Sequence, residues 1–468
     1  MKRERSPGVK LALAGLVAML LIVPLMMVYA LVYDRENQSS QAQAQVTQGW
    51  GGAQTVTGPV LVLPYTYRTS ESETTNGQQV QRTRTQRGEL YISPTRQSLE
   101  TTIDPDRRRY AIYESVVFES AMQGTARFDA PGDLDRLGVD IVELLPAQAE
   151  LRFGVSDPRG LTQGARVTVN GTAAQLEPGS GPAATNGAGF STAIAWDGAA
   201  PLEVTWQYGL RGSHSLSLVP RGGETSWHVS SPWPHPSFTG SYPPNDRSVS
   251  GEGFEATYSG ITNLSLNEAL VNTVDSAPPA ITGSMDYPEA QIATGGTATA
   301  SIGLVDPVDL YSQVDRAVKY GFLFIGLTFA MFLMFDIVGG ARVASAEYLL
   351  TGAGLVLFFV MLLAFAEVWG FVAAYLTASA AIIGLLTAYS AAVLGTWKRA
   401  FFVGAMLAGL YALLYVLLNL ETYSLVIGSL LLFFTLAGIM YATRRVDWSG
   451  LSGRYDENDG AGQGGIPA

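Results

Sequence analysis

Residues 317–338 read AVKYGFLFIGLTFAMFLMFDIV. A helix rises about 1.5 Å per residue, so about 20 such residues cross a hydrocarbon core of about 30 Å. Lys319 can snorkel at the start of the run, and Asp336 lies near its end. Four more runs follow toward the C-terminus, at residues 348–366, 369–394, 401–420 and 423–443. One precedes it, at residues 11–33. In lipid each backbone N–H and C=O must be satisfied within its own segment, so helices are the expected form.

The basic residues set the expected orientation. With the N-terminus inside, Lys2, Arg3, Arg5, Lys10, Arg342, Lys398, Arg399, Arg444 and Arg445 all fall on the cytoplasmic side. The two short loops opposite carry Glu367 and Glu421 and neither Lys nor Arg. The expected fold class is therefore a polytopic α-helical membrane protein with one N-terminal plus five C-terminal transmembrane helices and a large mainly-β exported domain. Its expected parts are a cytoplasmic N-terminus at 1–10, a first helix at 11–33 and a periplasmic domain at 34–306. A helical lead-in at 307–319, a five-helix bundle at 320–443 and a disordered cytoplasmic tail at 444–468 complete it. Both termini are expected to be cytoplasmic, with the large domain facing outward into a periplasm or its equivalent. A cleavable signal peptide competes for the first run, because Ala42-Gln43-Ala44 is a weak cleavage site. The apolar stretch is longer than the usual h-region and the site lies well beyond it, which favours an uncleaved anchor.

Of 468 residues, 47% are hydrophobic and the mean hydropathy is +0.18, an average over a polar and an apolar half. Cysteine is absent, so an exported domain must fold by burial, and thiol chemistry is excluded. Three histidines make a multi-His metal site a poor expectation. The net charge of −11 sits mainly on the outer domain. It argues against nucleic acid and anionic lipid head groups as partners, and solubility alone explains it.

From Gly58 the chain reads as strands and turns. A short apolar run at 60–63 is stopped by Pro64, and alternation recurs at 110–118, 165–169, 202–208 and 215–219. Gly, Pro, Asn and Asp punctuate these runs, as in antiparallel all-β domains, built as one large sandwich or two smaller ones. Residues 69–88 and 178–189 read as solvated loops, and 272–296 as a linker. Asp306-Pro307-Val308-Asp309 reads as a helix start, with Asp306 as N-cap and Pro307 in the first turn. Asp315 and Lys319 are spaced i,i+4 on that helix, which is expected to run straight into the second span and couple the two parts.

With these residues in view the chain resembles the CreD family of bacterial inner-membrane proteins. The resemblance rests on Trp50-Gly51, Gln54, Gly58-Pro59-Val60-Leu61 and Pro64-Tyr65, then on Trp233-Pro234-His235-Pro236-Ser237-Phe238, Gly240 and Gly253-Phe254. It continues at Pro307-Val308-Asp309-Leu310-Tyr311, Arg316-Ala317-Val318-Lys319-Tyr320 and Leu323-Phe324-Ile325, and ends at Glu421, Gly428, Met440 and Arg445-Val446-Asp447-Trp448. One departure is Ser345-Ala346-Glu347-Tyr348, where the family tends to have His-Pro-Gln-Tyr. The resemblance implies an envelope-integrity protein linked to a two-component regulatory system and to tolerance of envelope-directed agents. It implies no catalytic residues.

Among candidate sites, prolines fix the backbone around His235, and Trp233 and Phe238 flank it. The three make a candidate binding surface, against the plainer reading of a rigid loop packed on a sandwich end. Glu367 and Glu421 form a candidate acidic pair at the outer membrane boundary, against the plainer reading of residues that keep hairpin loops in water. Small residues at Ala380, Gly384, Ala388, Gly404, Ala408 and Gly428 suit close helix packing, with a homo-oligomer seam as the alternative. No nucleophile elbow and no phosphate-cradling loop is present, so neither an enzyme nor a cofactor is expected.

The leading expectation is a non-enzymatic protein whose exported domain binds an envelope component or a membrane-protein partner. The alternatives are a transporter or lipid-handling protein gated by that domain, and an exported hydrolase.

Overall fold

A computed structural model describes residues 7–75, 78–110, 113–132, 134–275, 297–305, 310–337, 343–419 and 424–444. The helix cap at 306–309, most of the 272–296 linker, Glu421 and the tail from 445 onward lie outside the described residues. The chain divides into two compact units, residues 40–307 and residues 1–39 with 308–468.

The first unit is mainly β. In chain order its strands are β1 (Gln54–Thr75), β2 (Gln78–Ile92), β3 (Arg96–Tyr110), β4 (Tyr113–Phe128), β5 (Ile141–Leu144) and β6 (Glu150–Val155). There follow β7 (Arg166–Val169), β8 (Thr172–Ala174), β9 (Glu177–Pro178), β10 (Gly189–Ala193), β11 (Leu202–Ser213) and β12 (Ser215–Val219). The last are β13 (Glu224–Ser231), β14 (Pro236–Gly240), β15 (Asp246–Ser250), β16 (Gly253–Thr262), β17 (Val271–Asn272) and β18 (Ala300–Leu304). One sheet has the order β14-β18-β12-β1-β6-β10-β9, with β2 and β5 also on β1 and β17 on β2. The other has the order β15-β16-β13-β3-β4-β11-β7-β8.

The two sheets share a single core, so this is one sandwich rather than two. Phe153 of β6 meets the Trp206 ring of β11 edge-on at 5.8 Å, and Phe190 of β10 meets Tyr208 of β11 at 5.7 Å. Strict in-out alternation drives this arrangement: on β11 Leu202, Val204, Trp206 and Tyr208 are buried while Glu203, Thr205 and Gln207 are exposed. The first and last strands are tied at one corner. Ser213 donates its N–H to Gly52 O at 2.7 Å, and Leu304 donates to His214 O at 2.7 Å.

Three sequence expectations change. Residues 69–88 are not a loop, because β1 and β2 pair continuously from Leu61↔Ile92 out to Thr75↔Gln78. A two-stranded ladder pairs its facing backbone groups and leaves the rest to water, so it needs no buried face and no apolar alternation announces it. Pro64 does not stop β1 either. It lies where β1 changes partner from β6 at Val62↔Glu150 to β5 at Tyr65↔Leu144, and its carbonyl accepts from Leu145 N at 2.9 Å. Residues 178–189 are partly packed: a 3-10 turn at Ala183–Thr185 buries Ala184 and Thr185.

The second unit is helical, and α1 (Pro7–Gln48) begins in it. After α2 (Asn263–Leu266) of the β unit come α3 (Leu310–Lys319), α4 (Gly321–Ile337), α5 (Ser345–Trp369), α6 (Phe371–Leu394), α7 (Trp397–Asn419) and α8 (Ser424–Thr443). Among the described residues five helical segments are long and apolar enough to cross a membrane: Gly8–Gln45, Leu310–Asp336, Ser345–Trp369, Phe371–Leu394 and Trp397–Leu418. The twenty-residue α8 carries no charged side chain and is the remaining expected span. The lead-in helix is interrupted at Tyr320, so α3 and α4 follow each other with a break, and Lys319 pairs with Asp315 at 2.6 Å on α3.

Ala14, Val17, Leu21, Val28 and Val32 form the buried stripe of α1, spaced to return to one face. Leu21 fits a notch left by Gly352 of α5, where any Cβ would overlap it, and Leu25 lies against Gly321 of α4. Phe324, Phe358, Tyr375 and Tyr411 interlock at the centre, with Phe358 4.6 Å and Phe324 4.9 Å from the Tyr411 ring centre. The Tyr375 hydroxyl donates to Tyr411 O at 2.6 Å. The small-residue expectation divides. Gly404 packs against Thr387, whereas Ala380, Gly384, Ala388 and Ala408 all face out of the bundle.

Candidate functional site

Trp233, His235 and Phe238 do not form one exposed patch. Trp233 is buried, and its Nε1 donates to His235 O and to Val305 O, both at 3.1 Å. The Arg107 guanidinium stands 5.4 Å from its ring centre. Phe238 is half-buried on β14 and meets Phe254 edge-on at 5.7 Å. His235 is the exposed member. The prolines thus hold a packed corner that carries the backbone of the last strand.

Other residues behind the family resemblance serve the same architecture. Gln54 is fully buried, its Nε2 donating to Gly51 O at 2.7 Å and Arg211 O at 3.0 Å, its Oε1 accepting from Ser156 Oγ at 3.2 Å. Trp50 lies between Arg108 and Arg211, each 4.8 Å from its ring centre. A Cβ at Gly58 would overlap the buried Gln97 amide, and one at Gly253 would overlap Ser231 O.

In the helical unit Glu367 accepts from the Tyr311 hydroxyl at 3.3 Å and lies 3.9 Å from Arg35 Nε. Its expected partner, Glu421, is outside the described residues. Lys10 and Asp336 make an ion pair of 2.8 Å toward the other end of α1. Glu347, in the segment that departs from the family pattern, accepts from Ala344 N at 2.7 Å and caps α5.

The site that chain reading missed is a trough on the outward face of the eight-stranded sheet. Its main basin holds about 510 Å³ and is lined by Ser98, Glu100, Gln123, Thr125, Arg166, Thr168, Thr205 and Gln207, over a floor of Gly124 and Trp206. A second basin of about 220 Å³ shares Glu100, Gln123 and Gln207 and reaches Thr102, His228 and Ser230. Pairing register makes two rows across five strands. One row is His228, Glu100, Gln123, Gln207 and Arg166; the other is Ser226, Ser98, Thr125, Thr205 and Thr168.

Gln123 donates to Glu100 at 2.6 Å, the Thr168 and Thr205 hydroxyls lie 2.5 Å apart, and His228 Nδ1 is 3.0 Å from Thr257 Oγ1. The rows offer hydroxyls and amides, with Glu100 and Arg166 as the charges in the main basin. Trp206 is buried, so the floor presents no stacking platform. Beneath, burial pushes the Tyr208 hydroxyl well above its ordinary range and keeps it neutral. A signal existed in the sequence: the alternate positions Ser98, Glu100, Thr102 and Ala121, Gln123, Thr125 are uniformly small or polar. Among the described residues no group of three or more His, Asp or Glu side chains is placed to hold a metal ion.

Comparison with known proteins bears on the whole chain. Residues 6–449 match the family described as Inner membrane protein CreD. Inner membrane protein CreD of Escherichia coli (strain K12) is 30% identical over 446 residues, which cover 93% of this chain and 92% of that one. Among solved structures, a peptide-bound mutant of an M1 zinc metallopeptidase from Deinococcus radiodurans aligns at 8% identity over 46% of this chain and 42% of that one, with a TM-score of 0.24. The M1 zinc metallopeptidase itself aligns at 9% identity over 37% of this chain and 39% of that one, with a TM-score of 0.22. Scores this low carry no inference about activity. The length and evenness of the first two matches settle the family: this chain belongs to the CreD family of inner membrane proteins.

Proposed function

We propose that the chain supports the barrier of the cell envelope from the inner membrane, with its β domain on the outer side binding an envelope component and its helices anchoring that domain. The observation that carries this reading is the trough: a concave, polar, five-strand surface on an otherwise solvated sheet face. The reading is non-enzymatic, since the chain lacks the nucleophile-elbow and phosphate-loop motifs. The charge pattern of the short loops supports the outward placement of the domain.

The test is envelope permeability in a deletion strain carrying either the natural chain or its Gln123→Ala/Gln207→Ala variant. Both substitutions are at exposed positions, so the variant inserts and accumulates normally. It is expected to leave the barrier leaky where the natural chain restores it. Full restoration by the variant would sink the trough reading.

Lipid handling by the helices is the second reading, favoured by the hydroxyls of Thr328, Thr351, Ser390 and Tyr411. All four are buried without a hydrogen-bond partner among the described residues. Apolar surroundings penalise such groups, which suits a bundle that admits a polar guest. Under this reading Thr351→Val with Ser390→Ala abolishes barrier restoration while the trough variant retains it.

A further inference from the structure

The trough has a composition that selects among ligand chemistries, and from it we infer that the surface binds an uncharged, polyhydroxylated chain, an oligosaccharide lying across the strands. This rests on the binding role just assigned to the β domain and names its ligand class.

Charge is the first selector. The chain as a whole carries −11, yet the main basin holds one carboxylate, Glu100, and one guanidinium, Arg166, at opposite ends of its row. A polyanion meets no basic field there, and a polycation meets one acid only. Apolar ligands are disfavoured in turn, because the outward side chains are Ser, Thr, Gln, Glu and Arg, and the Trp206 ring is covered.

Hydrogen-bond capacity is the second. Ser98, Thr125, Thr168 and Thr205 each both donate and accept, and so do the Gln123 and Gln207 amides. Sugar hydroxyls have the same double capacity, so each can pair without stranding a donor or an acceptor.

Geometry is the third. Neighbouring strands stand about 4.8 Å apart, so the rows repeat their groups at about that interval over about 19 Å. That interval is comparable to the advance of one sugar along an extended glycan. A peptide would instead favour a free sheet edge, where its backbone can extend the ladder. The trough runs over the sheet face, with β3, β4 and β11 in its middle and strands on both sides. Without a stacking ring the affinity is weak, and a long glycan is held by several such contacts at once.

The experiment titrates the purified full-length protein in detergent with chitotetraose, and separately with an uncharged tetrapeptide. Calorimetry gives the affinity, and hydrogen exchange locates protection. Chitotetraose is expected to protect β4 and β11 and to bind about tenfold more weakly to Gln123→Ala/Gln207→Ala, the loss of about two net hydrogen bonds. Thr168→Ala/Thr205→Ala, which removes the hydroxyl pair alone, is expected to weaken it as well.

Saturation without protection of these strands, or binding by both variants as tight as by the natural chain, would overturn the assignment. So would binding of the tetrapeptide in place of the sugar. No sugar binding by a natural chain whose trough variant still loses the envelope barrier would remove the glycan and leave the trough's role standing. A trough variant that keeps the barrier would remove that role itself.

Discussion

The Lys10 ammonium stands 2.8 Å from a carboxylate oxygen of Asp336, whose side chain is only 1% exposed. Twenty-five residues further along α1, Arg35 lies 3.9 Å from Glu367 of α5. At about 1.5 Å per residue the two pairs are about 37 Å apart, close to a hydrocarbon core plus part of each head-group layer. Ion pairs thus tie α1 to α4 at one end and to α5 at the other.

The two ties differ in weight. Replacing Lys10 by Met leaves a buried carboxylate without its partner and is expected to cost about 3–5 kcal/mol of bundle stability. Lys10→Met with Asp336→Leu is expected to recover most of that loss, because the charge has gone as well. Arg35 is 41% exposed, so Arg35→Met is expected to cost about 1 kcal/mol or less. Thermal unfolding in detergent checks the order, and equal losses at Lys10 and Arg35 would contradict it.

Trp233 holds two carbonyls with one N–H, those of His235 and Val305. Trp233→Phe keeps much of the ring and strands both acceptors, for an expected loss of about 1–3 kcal/mol. Faster amide exchange should appear in β14 and β18, the strands that flank this corner. Exchange unchanged there would show that the Trp233 N–H does not secure them.

Gly58 leaves room for the buried Gln97 amide, which donates to Thr225 Oγ1 at 3.1 Å. Gly58→Ala is expected to destabilise the sandwich by about 1–3 kcal/mol through overpacking. The same change made beside Gln97→Ala should cost less, with a coupling of about 0.5–3 kcal/mol in a double-mutant cycle. Strict additivity would refute the steric account.

His214 occupies a left-handed backbone position, φ 60°, at the corner that ties the first and last strands. Burial lowers its pKa below the ordinary 6.5. The unfolded chain therefore binds more protons than the folded one as pH falls through 6.5, and stability declines with it. Well above that pH the imidazole is neutral in both states and contributes no slope. His214→Asn, which tolerates the same backbone region, is expected to flatten this part of the stability curve between pH 7 and pH 5. An unaltered slope in the variant would assign the effect elsewhere.

The apolar runs were legible because lipid imposes a length and composition that short windows reveal. Strands such as β11 and β12 were legible for a related reason: one face is buried, so Leu202, Val204, Trp206 and Tyr208 alternate with polar residues. The outer part of the β1–β2 hairpin was not, since Thr, Gln and Arg fill both of its strands and leave no period of two. Trp233 was open to two readings, a surface anchor or part of a packed loop, because its second partner, Val305, lies far along the chain. The pairing of Lys10 with Asp336 was hidden by the same kind of separation.

What the sequence by itself determined is the division into membrane helices and a mainly-β part, the absence of thiol chemistry, and the family. Each rests on local composition, on residue types present or absent, or on motifs contiguous in the chain. Tertiary structure alone decided that Trp233 is a buried clamp, that the Ala380, Gly384 and Ala388 stripe faces outward, and that a trough exists. Ser98, Gln123, Arg166 and Thr205 become neighbours only through the register of antiparallel strands. Register is set by which side chains the sandwich must bury, a condition on both sheets together that no single segment carries.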